Sequence, residues 1–181
     1  SVGSRSVEAV IRRLPIHTRG GAPAAVAARD LIPSVLAAVR SVLGESAAGE
    51  LRVDLAVDTR TADAARTAGP LTVLAPARVS GPSSAPVVMS APGPAFDVLR
   101  HLSPQVGSAV TAGLAAGDIV MPDILIGDYG LPTAHAVRAA VVGSTETGWA
   151  AEVTVDPSRV DAADALADAL AVALVSRAED R

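Results

Sequence analysis

The stretch LRVDLAVD, residues 51–58, alternates apolar Leu51, Val53, Leu55 and Val57 with Arg52, Asp54 and Asp58, which is the period of two expected of a strand with one wet face. Upstream, Leu31, Val35, Val39, Val42 and Leu43 recur at steps of three, four and one, predicting an amphipathic helix that Gly44 ends. Downstream, a weaker strand covers about residues 71–77. The Ser-, Pro- and Gly-rich run VSGPSSAPVVMSAPG, residues 79–93, then reads as an exposed loop or crossover. Helical patterning returns at about 94–102 and 105–116, broken at Pro104, and strands follow at about 118–127, 135–142 and 149–155. In the closing segment Asp161 and Asp164 stand at the spacing of an N-cap and an acidic first turn. Leu166, Leu170 and Leu174 repeat every four residues behind them, so a helix is expected to about Arg177. Residues 1–28, broken by Gly20, Gly21 and Pro23, carry no clear period. The order is α/β: a mixed sheet with helices packed on it as a two-layer sandwich, a linker or remnant of a preceding lobe over 1–23, and one lobe over 24–181.

Composition narrows the function classes. Half of the 181 residues are apolar but only 2% are aromatic, and all 15 basic residues are arginines. That suffices for one cored domain or for one lobe of something larger. The net charge of −4 comes from interspersed signs, with no basic run and almost no rings for bases to stack on, so nucleic acid is not an expected partner. Without cysteine there is no disulfide framework, thiolate nucleophile or Cys-type metal site. No apolar run approaches the roughly 18–20 residues of a membrane span, and SVGSRSVEAVIRR lacks the order of a signal peptide, so a soluble, cytoplasmic chain is expected.

The common catalytic signatures are missing: no GxSxG elbow, no GxxxxGK[ST]-type phosphate loop, no GxGxxG and no HExxH. His17 lies in a loop-like segment, His101 near a helix end, and His135 opens an apolar strand. Each reads as structural or solvated, because Gly21, Gln105 and Ala139 stand four residues on, where an orienting carboxylate would be sought. Asp156, Asp161, Asp164 and Asp168 suit a helix start, where unpaired N–H groups favour acids, better than a metal site.

Three segments carry a family likeness. AGPLTVLAPAR, residues 68–78, resembles the condensation-domain motif of nonribosomal peptide synthetases, I/V-GxFVNTxxxR, with the same length from Gly69 to Arg78. GDYGLPTAHAV, residues 127–137, resembles the DFGWGxP segment of BAHD acyltransferases, with Asp128, Tyr129, Gly130 and Pro132 in matching order. GWAAEVTVDPSRVDAADALADAL, from residue 148, is similar to the strand, "D…RVD" and closing helix that end such lobes. These families belong, with wax ester synthases, polyketide-associated acyltransferases and chloramphenicol acetyltransferase, to one superfamily of two lobes around a substrate tunnel. The likeness covers about residues 24–178.

The resemblance implies a C-terminal lobe of an acyltransferase, with acyl-CoA or an acyl carrier protein as thioester donor and an alcohol, amine or thiol as acceptor. The HHxxxDG motif whose histidine acts as base is absent, so an N-terminal lobe or second chain would supply it; a carrier protein is a further implied partner. Arg78 would support the active site by pairing with the aspartate of that motif, while Asp128, Tyr129 and Gly130 would be structural. Val73 stands where condensation domains carry asparagine, a departure from the peptide-synthetase pattern. Dihydrolipoyl acyltransferases carry their catalytic histidine in DHRxxDG in the terminal segment, and the match here, DPSRVDAAD, has Pro157 and Ser158 in its place. A catalytically inactive scaffold lobe that keeps the fold is the alternative.

Overall fold

A computed structural model describes residues 8–17, 28–44, 50–58, 72–80, 87–88, 124–128, 135–144 and 146–179. The strands are β1 (Val10–Ile16), β2 (Glu50–Asp58), β3 (Thr72–Ser80), β4 (Val87–Val88), β5 (Ile124–Ile126), β6 (Val137–Ser144) and β7 (Gly148–Val155). The helices are α1 (Ala28–Leu43), between β1 and β2, and α2 (Ala163–Glu179), after β7. The strands form one sheet in the order β1-β7-β6-β5-β2-β3-β4. The pairs β2–β5 and β5–β6 are parallel and the others antiparallel. The chain is therefore mixed α/β.

Alternation decides which residues meet the helices. Val53 and Leu55 of β2, Ile124 and Ile126 of β5, Val137 and Ala139 of β6, and Ala151, Val153 and Val155 of β7 pack into one core. Leu31, Val35 and Val39 of α1 and Leu166, Leu170 and Leu174 of α2 close it from above. The intervening positions face the other way, where Leu74 and Leu125 are also fully buried, with Ala56 packed against them. A sheet covered on one side only would have left that row wet. The reading of β2 as a strand with a wet face is corrected at Asp54, which is buried.

Helix α1 matches its periodicity and ends as expected: Gly44, at φ +87°, donates its N–H to the Arg40 carbonyl at 3.0 Å. The repeat of leucines every fourth residue places Leu166, Leu170 and Leu174 in the core of α2, and the helix runs two residues beyond Arg177. Its start is shifted by one: Leu166 N–H bonds to the Ala162 carbonyl at 2.9 Å, so Ala162, at φ +54°, holds the capping position in place of Asp161.

The unpatterned opening needs a larger correction. Val10–Ile16 form β1, antiparallel to β7 over their whole length, from Val10 opposite Val155 to Ile16 opposite Trp149. This part of the opening is built into the sheet. The loop expected over 79–93 contains the last two residues of β3 and all of β4. The expected helices over 94–102 and 105–116, His101, and residues 118–123 of the strand expected at about 118–127 lie outside the described residues. Among the described residues, no helix is long and apolar enough to cross a membrane.

Candidate functional site: a buried carboxylate–imidazole pair

Asp54 sits in the middle of β2, in register with Leu125 of β5 on one side and Pro76 of β3 on the other. His135 lies two residues before β6, which enters the sheet beside β5 with Val137 opposite Ile124. The parallel pairings on both sides of the short β5 bring these segments together, and His135 Nε2 lies 2.6 Å from Asp54 Oδ2. The imidazole is 2% exposed and the carboxylate 11%. The pair thus ties β2 to the start of β6 across a strand of only three residues.

Neighbouring backbone bonds hold the histidine segment in place. Asp156, at the end of β7, donates its N–H to the Ala136 carbonyl at 2.8 Å, next to His135. Gly127 N–H donates to the Ala139 carbonyl at 2.8 Å on the other side of β6. A carboxylate bonded to one ring nitrogen fixes the tautomer and orientation of an imidazole, the arrangement that a base or a metal ligand requires. A base must also reach a substrate, and a side chain 2% exposed is shut away from one. As described, the pair is a clasp between strands.

The sequence offered no partner for His135 because its carboxylate lies 81 residues away. His17 is exposed, and its backbone N–H donates to Glu179 Oε1 at 3.0 Å, joining the end of β1 to the end of α2. Among the described residues no three of His, Cys, Asp and Glu gather as metal ligands would. The acids of the terminal segment have other partners. Asp156 accepts from the Ser158 hydroxyl at 2.6 Å and the Ser158 N–H at 2.9 Å, and these bonds hold its carboxyl below the usual carboxylate range. Asp164 and Asp168 both accept from Arg12 of β1, at 2.7 and 2.5 Å.

Arg78, the expected site-supporting residue, is the seventh residue of β3, with its backbone opposite Arg52 on β2 and Val87 on β4. It therefore lies on an internal strand; its side chain is outside the described part of the structure. Asp128, just past β5, is exposed and accepts from Arg138 Nη2 at 3.1 Å, which pins the chain leaving β5 to β6. Tyr129 and Gly130 lie outside the described residues. A shallow groove of about 240 Å³ is lined by Arg13, Pro15, Thr147, Gly148, Trp149 and Ala150, a set that shares no residue with the Asp54–His135 pair. No family model, curated protein or solved structure matches the chain.

Proposed function

We propose that this chain is the C-terminal lobe of a two-lobe, thioester-dependent acyltransferase of the chloramphenicol acetyltransferase-like superfamily, working with an HHxxxD-bearing lobe or chain. The single observation that supports this most is the element order around the three similar segments. Arg78 lies on β3, Gly127 and Asp128 follow β5, and the "D…RVD" segment links β7 to the closing helix α2. The donor is an acyl-CoA or acyl carrier protein. In the reaction the acceptor's oxygen, nitrogen or sulfur bonds to the acyl carbon, the carbon–sulfur bond breaks, and the acceptor's proton ends on the released thiol. The base belongs to the other lobe, and Arg78 anchors the aspartate beside it.

A second reading, a lobe that keeps the fold and serves as a scaffold, is favoured by the closed burial of the Asp54–His135 pair. Both are tested by assaying free-thiol release from acyl-CoAs of graded chain length and from an acyl carrier protein. The assay compares the chain alone with the chain joined to the HHxxxD-bearing product encoded upstream or beside it. The acyltransferase reading expects an inert chain, an active combination, and loss of that activity in Arg78→Ala with the fold retained. Association without thiol release leaves the scaffold reading standing. Failure to associate removes both.

A further inference from the structure

Strand β1 ends the sheet, and no strand adjoins its outer edge among the described residues. An open edge presents a row of backbone donors and acceptors on which another extended chain can add, and a second copy's own β1 is always at hand. Ile11 sharpens the hazard: it is 60% exposed, one of two large apolar side chains so exposed among the described residues. Without a guard, this edge would be adhesive.

Three features of β1 oppose such addition. Arg12 Nη1 donates to the Ile11 carbonyl at 3.2 Å, so this acceptor is already engaged by the chain itself. The same guanidinium donates through Nε to Asp168 and through Nη2 to Asp164, so α2 holds it in place with two carboxylates. Pro15 has no N–H to offer, and proline suits a strand position whose backbone faces outward. In that alternation Ile11 and Arg13 face the same way as Pro15. In an antiparallel β1–β1 pairing centred on the strand, Arg13 would also stand opposite its own copy, a like-charge contact that opposes pairing.

We infer that Arg12 is the guard of this edge: clamped by Asp164 and Asp168, it occupies the Ile11 carbonyl and keeps the β1 of a second copy from adding to the sheet. This inference is independent of the acyltransferase reading, since it concerns neither the tunnel nor Arg78. It also accounts for an arginine at a strand position whose neighbours of the same parity, Val10, Leu14 and Ile16, pack against the core.

Sedimentation velocity over a concentration series tests it, with circular dichroism as the check on folding. Arg12→Ala should tighten self-association by about tenfold or more relative to the parent chain, the scale of one lost charge-assisted bond. Adding Ile11→Lys, which puts a charge on the same edge, should reverse the gain. A folded Arg12→Ala with the parent's sedimentation profile overturns the inference, and so does extra association that Ile11→Lys leaves untouched. If Arg12→Ala does not fold, Asp164→Asn/Asp168→Asn releases the same arginine from exposed positions of α2. An unchanged profile in that variant overturns the inference equally.

Discussion

At the scale of single residues, the Asp54 carboxylate depends on His135. A carboxylate 11% exposed has little water to take the place of its 2.6 Å bond to the imidazole, so truncating His135 removes that bond with little replacement. His135→Ala should therefore destabilise the chain by about 3 kcal/mol. Asp54→Asn/His135→Gln should cost less than the sum of its single variants, with a coupling of about 1–3 kcal/mol, because both ends of one bond are changed together. Urea unfolding midpoints of the four forms measure this; additive losses would show that the two side chains act independently. The pair was only half legible in the sequence. His135 was visible as a polar opening to an apolar strand, but Asp54 looked solvent-facing, since alternation separates two faces of a strand without saying whether the second is covered. Leu74 and Leu125, both fully buried on Asp54's side of the sheet, show that it is.

At the scale of elements, legibility followed how regular the apolar period is. Helix α2 was readable from Leu166, Leu170 and Leu174 because all three meet the core, and β6 and β7 were readable within two residues at each end. Strand β1 was not, because Arg12 occupies a core-side parity position where its charge is compensated by acids more than 150 residues away. No local window contains those acids. The β6–β7 hairpin supplies an element-scale prediction through its two glycines. Gly143 lies at φ +140°, and a Cβ there would collide with the Gly148 carbonyl oxygen and crowd Trp149 Cα, both rigid backbone. Gly148 lies at φ +76° with open space around its missing Cβ, so alanine there meets only the conformational penalty, about 1 kcal/mol. Gly143→Ala should thus lower the melting temperature clearly more than Gly148→Ala. Equal shifts would mean that the hairpin moves to accept the methyl group at little cost.

At the scale of the whole molecule, the class of fold was legible because both the strand period and the helix period recur along the chain, but the extent of the sheet was not. The boundary drawn at residue 23 followed Gly20, Gly21 and Pro23, residues that break regular elements in a sequence. The strand before them pairs with β7, the last described strand in sequence. Such a closure, joining the two ends of the chain, leaves no local trace. It has a direct consequence for a chain shortened to begin at Ala24. Deleting β1 strips the backbone edge of β7 and uncovers core that Ile16 seals and that Val10 and Leu14 partly cover. It also removes the bonds from Arg12 to α2 and from the His17 N–H to Glu179. Burying Ile16 alone is worth about 2 kcal/mol, and the two half-buried side chains add about as much again. A domain of this size is held by only about 5–15 kcal/mol in total, so losses on that scale consume much of it. The shortened chain should unfold at a markedly lower urea concentration than the full one, or without a cooperative transition, and should bind a dye that reports exposed apolar surface. If instead it unfolds at the same midpoint and with the same slope, β1 contributes nothing to the core and the boundary at residue 23 is a true domain edge.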